Sequence, residues 1–384
     1  MPAEPLPVLF VHYGEEWIRG SEQVLLDLLR HLDRGRIAPV VWCNGAAMAE
    51  AVAAMGLAVT RSPMRFFLAG SGAAPLAPGQ WAAQARQGLE LLRAHGIRAV
   101  HANSGAPVQW MAPAAARAGV PLLAHLHIRY LRRSRYALLL HQADLAVGVA
   151  AHVTQALAAD GMPAERLRTI PNGIDPARLE GGGDLRARLG IPPGAPLVGS
   201  VGSLIRRKGH DLLLRAVAGL EGVHLAIAGS GGEEGALRAL AAELGLGGRV
   251  HFAGNLQHPA ELYRAADLCA LASRSESFGL ALAEAGWFAR PSVAAAVGGV
   301  PEVLRDGETG LLVPPDDADA LRAALRSLLE DPARRGRLGA AARRDVEARF
   351  LAPAMAGAFT AAWEGLAAAG RARGGRLRPY LPIP

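Results

Sequence analysis

Val8-Leu-Phe-Val11, followed by Ser21-Glu-Gln-Val-Leu-Leu-Asp-Leu-Leu-Arg-His-Leu32, places a short strand-like run ahead of a helical stripe. In the second segment Val24, Leu25, Leu28, Leu29 and Leu32 recur at the spacing that puts them on one helix face. The same alternation runs through the chain, with β-like runs at 40–43, 98–101, 122–127 and 144–149 in the first half. A second series reads 197–201, 225–228, 250–252, 268–270, 292–294 and 310–313. Strands that alternate with Ala/Leu-rich helices form parallel sheets with helical crossovers, so the fold class is α/β.

The two series are separated by Ile170-Pro-Asn-Gly-Ile-Asp175 and Glu180-Gly-Gly-Gly183, where turn residues cluster and periodicity lapses. This predicts a first domain at 1–175, a linker at 176–195 and a second domain at 196–350. Residues 351–384 then give a closing helix that packs back toward the first domain and a basic tail. A Gly/Ala/Pro-rich stretch at 69–79 reads as a loop within the first half.

A length of 384 residues fits two domains, and a hydrophobic share of 51% supplies their cores. No stretch approaches the roughly 20 uncharged apolar residues of a spanning helix, and Met-Pro-Ala-Glu-Pro lacks the regions of a signal peptide. The expected location is cytoplasmic, with a peripheral position at the inner face of the membrane kept open by one segment. That segment, Arg129-Tyr-Leu-Arg132-Arg133-Ser-Arg135-Tyr136, mixes four Arg with apolar side chains and suits anionic lipid or a charged acceptor, or else an ordinary solvated helix face. The net charge of +7 decides little, because Arg far outnumbers Lys throughout and much of the charge is compositional. No zinc-finger spacing or aromatic RNA-binding signature accompanies it, so nucleic acid is not an expected partner. Cys43 and Cys269 lie in apolar runs and read as buried free thiols.

An ordered series of motifs resembles the GT-B glycosyltransferases of family 4, also described as glycosyl transferases group 1. It comprises Gly20-Ser21-Glu22, His127 at a strand end, Ile170-Pro-Asn-Gly-Ile-Asp175 and Val201-Gly-Ser-Leu-Ile-Arg-Arg-Lys208-Gly-His. It continues through Ala226-Ile-Ala-Gly229-Ser-Gly231, Val250-His-Phe-Ala-Gly254, Glu276-Ser-Phe-Gly-Leu-Ala-Leu-Ala-Glu284 and Gly298-Gly299-Val-Pro-Glu302. The resemblance covers nearly the whole chain. It implies two Rossmann-like, doubly wound parallel-sheet domains facing across a cleft, and transfer of a hexosyl group from a UDP-, GDP- or ADP-sugar with anomeric retention. The implied acceptor is a hydroxyl of a glycan, a lipid-linked saccharide or a small metabolite. A catalytically silent sugar-nucleotide-binding or assembly protein of the same fold is the alternative.

The resemblance also assigns residues. Glu276 would hold donor-sugar hydroxyls, and the backbone amides of Phe278, Gly279 and Leu280 the distal phosphate, since first-turn N–H groups have no intrahelical partner. Ser277 would add a hydrogen bond, and Glu284 would bind ribose. Lys208 would reach the diphosphate as a point charge. Family members usually carry Arg where this chain has Ser203, so Arg206 or Arg207 must compensate or the leaving group is held less strongly. The glycine turn at Gly229 lacks a full dinucleotide fingerprint and would instead allow close backbone approach to the donor. His127 would contact the transferred sugar through its ring or carbonyl. Gly20 and Ser21 would let the first loop approach the phosphates, although helix capping by Ser21 explains them equally well. Asp316-Asp-Ala-Asp319 reads as an N-cap rather than a metal motif. His210, His251 and His258 form no metal-ligand pattern, so neither a metal nor another cofactor is expected.

Overall fold

The computed structural model describes residues 4–65, 78–370 and 377–378. The expected loop at 69–79 and the basic tail therefore lie largely outside the described residues. The chain divides into two compact units, one of Met1–Gly173 with Ala352–Pro384 and one of Ile174–Leu351. It thus leaves the first unit, builds the second and returns to finish the first. Segment 176–195 belongs to the second unit, where it forms short helices at Pro176–Leu179 and Leu185–Leu189.

The first unit holds seven parallel strands: β1 (Leu6–His12), β2 (Ile37–Cys43), β3 (Ala58–Arg61), β4 (Ala99–Asn103), β5 (Leu122–Leu126), β6 (Leu145–Gly148) and β7 (Leu167–Thr169). They lie in the order β3-β2-β1-β4-β5-β6-β7. The second unit holds β8 (Leu197–Val201), β9 (His224–Ala228), β10 (Val250–Gly254), β11 (Leu268–Leu271), β12 (Ser292–Ala295) and β13 (Gly310–Val313). These run β10-β9-β8-β11-β12-β13. Both sheets are doubly wound, and the direction of winding reverses between β1 and β4 and between β8 and β11. Ligands of such sheets gather outside the carboxyl ends of strands at this switch point.

Sequence reading finds every strand except β3 and β7. Both are short edge strands with largely exposed side chains, so neither shows the continuous apolar run of a central parallel strand. The run read as 122–127 ends at Leu126, so His127 stands on the connection beyond the strand rather than closing it. Asp317 caps the helix Ala318–Leu329 by accepting from the amides of Asp319 and Ala320, as its position before that helix implies. Cys43 and Cys269 are buried and unbridged. Among the described residues, no helix is long and apolar enough to cross a membrane.

The core of the first unit includes a ring cage completed from the far end of the chain. Phe359 and Trp363, on the helix Ala352–Ala369, pack on Phe10 and His101 with ring centroids 5.1–5.6 Å apart. His125 joins at 5.2 Å from His101. Burial, with a contribution from the charge of His127, pushes the His101 pKa down to about 3. The unfolded chain therefore binds more protons than the folded one between about pH 6.5 and pH 3, and stability falls as pH drops through that window. His101→Phe keeps the ring and removes the titration. Denaturant midpoints measured at several pH values should decline less steeply on acidification in the variant than in the parent; parallel declines would contradict this origin.

Candidate active site

The site in the second unit forms where two strand ends meet at its switch point. β8 runs into the loop carrying Ser203 and then a tight turn at Arg206–Lys208, while β11 runs into the segment from Ala272 to Glu276. Gly209 makes the meeting possible. Its φ is +65°, and a Cβ there would lie 1.9 Å from the carbonyl oxygen of Ala272. Arg274 then ties the two segments together: its amide donates to Arg207 O at 2.8 Å, its guanidinium to Arg206 O at 2.9 Å and to both oxygens of Asp211 at 2.8 Å. That guanidinium holds the Asp211 carboxyl below its ordinary pKa, against the opposing effect of burial.

This scaffold brings Lys208 Nζ to 2.5 Å from Glu276 Oε2. Arg207 lies 4.0 Å from the same oxygen and donates to Ser275 O at 2.9 Å. Arg206 is exposed, and its guanidinium has no partner among the described residues. Lys208 is also the single lysine among the chain's 41 Lys and Arg residues. An ammonium is a compact charge with three rotatable donors, and the pair with Glu276 leaves donors to spare.

Glu276 precedes the helix Leu280–Trp287, which starts after Gly279 with its φ of +86°. Glu284, in that helix, is buried: Arg178 donates to one oxygen at 2.7 Å and the Tyr263 hydroxyl to the other at 2.7 Å. Burial and this carboxylate push the Tyr263 pKa well above its ordinary value. Both oxygens of Glu284 thus already accept one protein donor. Gly229, with φ +140°, packs so closely that a Cβ would lie 2.1 Å from Gly202 O, and Leu204 N donates to Ser230 O at 2.9 Å. The glycine turn therefore braces the Ser203 loop whatever else it approaches.

Gly20, Ser21 and His127 belong to the first unit and are grouped by Asn103. Asn103 Oδ1 lies 2.9 Å from His127 Nε2, and its amide nitrogen lies 3.5 Å from Ser21 O. A Cβ on Gly20 would meet nothing within 4 Å. The start of the helix Gly20–Arg30 is held not by Ser21 but by Glu22, whose Oε2 accepts from Arg19 N at 3.2 Å and from the Ser21 hydroxyl at 3.1 Å. Burial lowers the His127 pKa to about 4.

One element of the basic cluster needs correction. Arg135 is not a solvated cation available to lipid: it is buried, forms two bonds of 2.5 and 2.6 Å to Asp160, and donates to Tyr130 O at 2.7 Å. Arg129, Arg132 and Arg133 are exposed beside Ile128 and Leu131, which are 53% and 66% exposed. Sequence reading also missed Arg274, Asp211, Arg178 and Tyr263, which build or hold the site. For Lys208 a simple signal existed, namely that arginine occupies every other cationic position of this kind.

A doubly wound α/β protein with a lysine–glutamate pair at its second switch point is the class that these features define. Residues 183–345 match the family described as glycosyl transferases group 1, and residues 18–178 match glycosyltransferase family 4. The chain belongs to this glycosyltransferase family. It is 37% identical over 209 residues to D-inositol 3-phosphate glycosyltransferase 1 of Catenulispora acidiphila, covering 50% of each chain. It is 44% identical over 155 residues to the D-inositol 3-phosphate glycosyltransferase of Mycobacterium avium, covering 38% of this chain and 37% of that one. The chain thus spans half or less of the length of these curated relatives. Among solved structures, Anabaena HepE in complex with UDP and glucose superposes with a TM-score of 0.79 at 24% identity, over 93% of this chain and 99% of that one. A glycosyltransferase from Rickettsia africae gives 0.81 at 18% identity, over 95% and 99%. At these identities the likeness is one of fold.

The brace at Gly209 is directly testable. Gly209→Ala should lower the stability of the second unit by about 2 kcal/mol or more, because it adds both a left-handed strain and a backbone clash. Gly232→Ala, where a Cβ meets nothing within 4 Å, should be nearly neutral. Urea unfolding followed by tryptophan fluorescence compares them, and equal midpoints would remove the brace from the account.

Proposed function

We propose that this chain is a retaining, metal-independent hexosyltransferase that takes its sugar from a nucleoside diphosphate and passes it to a hydroxyl acceptor. The observation that carries the reading is the Lys208–Glu276 pair at the carboxyl ends of β8 and β11, where a doubly wound sheet receives its ligand. Glu276 accepts from hydroxyls of the donor sugar. Lys208 and Arg206 offset the charge of the departing diphosphate, aided by the free amides at Phe278, Gly279 and Leu280, with Ser277 adding a hydrogen bond. Arg206, which has no partner among the described residues, supplies the charge that Ser203 does not. Glu284, held by Arg178 and Tyr263, accepts from ribose hydroxyls with its remaining lone pairs. In the first unit His127 contacts a sugar hydroxyl, and Gly20 and Ser21 leave backbone open to a phosphate. The UDP and UDP-glucose complexes of Anabaena HepE support a nucleotide-sugar donor.

The single lysine makes the site open to unambiguous chemistry. UDP-, GDP- and ADP-sugars, each offered in chelator with and without lipid and glycan extracts, should give one donor that produces a mass increase of one hexose in an acceptor. That donor should also protect Lys208 from amine acylation, read by peptide mass. Protection without transfer would favour a silent sugar-nucleotide binder, whose support is Ser203; transfer only when divalent metal is restored would reject metal independence. No protection by any sugar nucleotide would remove the site assignment.

We place the protein in the cytoplasm with a peripheral contact at the inner membrane face through Arg129, Arg132 and Arg133, flanked by Ile128 and Leu131. Vesicles containing anionic phospholipid should retain the protein, and replacement of the three arginines by glutamate should reduce retention severalfold. Equal retention would assign these side chains elsewhere.

A further inference from the structure

A run of polar contacts in the first unit leads from Glu22 to His127. Glu22 Oε1 lies 3.3 Å from His12 Nε2, His12 Nδ1 lies 3.0 Å from Asn103 Nδ2, and Asn103 Oδ1 lies 2.9 Å from His127 Nε2. The first contact is long for a hydrogen bond; the other two are ordinary. Glu22, His12 and Asn103 are 8%, 2% and 0% exposed, so water does not compete for these links. His12 and Asn103 are register partners on β1 and β4, and Asn103 is paired with His125 on β5. The run therefore crosses the switch point of the first sheet and ends on the partly exposed ring of His127. Gly14 leaves room for its first link, because a Cβ there would lie 2.4 Å from His12 Nε2 and 2.8 Å from Glu22 Oε1.

Each link has a direction. An ionised carboxylate only accepts, so His12 Nε2 facing Glu22 carries a proton. In a singly protonated His12, Nδ1 is then a lone pair, which turns the Asn103 amide nitrogen toward His12 and its carbonyl oxygen toward His127. That oxygen also only accepts, so His127 Nε2 carries the ring proton and Nδ1 keeps a lone pair. The opposite tautomer would break this sequence of donors and acceptors at Asn103. The ring is further seated against His125, with centroids 4.2 Å apart.

We propose that Glu22 is a positioning residue which, through His12 and Asn103, holds His127 as the Nε2–H tautomer with Nδ1 presented as an acceptor for a sugar hydroxyl. The sugar contact rests on the function proposed above; the tautomer does not. A ring with one defined acceptor selects a hydroxyl proton and rejects a ligand that offers only lone pairs.

Nitrogen-15 NMR of histidine-labelled protein without sugar nucleotide tests the tautomer, with the His127 signals assigned by their loss in His127→Asn. The parent should show Nε2 protonated and Nδ1 bare. Asn103→Asp, which still accepts from His127, should retain that pattern, while Asn103→Leu and Glu22→Ala should give mixed tautomers. A parent with Nδ1 protonated, or a His127 pattern unchanged in either Asn103→Leu or Glu22→Ala, overturns the relay. The pattern retained in Asn103→Asp shows that the fold survives change at this position. With an active donor and acceptor, Asn103→Leu should lower kcat/KM by about tenfold, the scale of one lost hydrogen bond. A moved tautomer with unchanged transfer overturns the sugar contact and leaves the relay standing.

Discussion

Parallel strands buried on both faces leave a protein little choice about where to put its chemistry. In β4, β5, β6, β9, β11 and β12 every residue is buried, so functional polar groups gather where the strands stop. The two sheets then direct those groups to the points where winding reverses. Lys208 and Glu276 follow β8 and β11, neighbours that flank the reversal in the second sheet, and His12 and Asn103 end β1 and β4, the equivalent neighbours in the first. The topology places the charged and polar clusters before any side chain contributes.

Close approach of main chain to main chain fixes the remaining geometry. Gly209 against Ala272 and Gly229 against Gly202 bring loops into contact at distances that no side chain would permit. Arg274 satisfies the carbonyls exposed by the first approach and is itself anchored by Asp211 and Asp316. Lys208 is therefore carried on a framework in which one cation is spent on structure so that another can be offered to a ligand.

Most of the architecture was legible because parallel strands with apolar side chains announce themselves as runs; the central β8 and the apolar edge strand β13 can be read to the residue. β3 and β7 were not, since an edge strand with exposed polar side chains gives no such signal. In the site, Lys208, Glu276 and Glu284 stood out through the order and spacing of their motifs. Arg274, Arg178 and Tyr263 did not, because their partners Asp211 and Glu284 are brought to them by sheet topology and helix packing rather than by local spacing. Asn103 lies beyond the run read at 98–101, yet it ends β4 in full burial and links His12 on β1 to His127 on the connection after β5. Its role depends on register, which a single sequence does not display. Arg135 failed in the other direction: a cation in a basic run looks solvated until Asp160, on another element, is seen beside it.

Phe359 and Trp363 close the ring cage around Phe10 and His101, although the intervening chain has built an entire second unit. During synthesis from the amino end, the first sheet must wait for its last helix with aromatic surface uncovered, while residues 174–351 already have all the chain they need. The unit that emerges first is thus the one completed last.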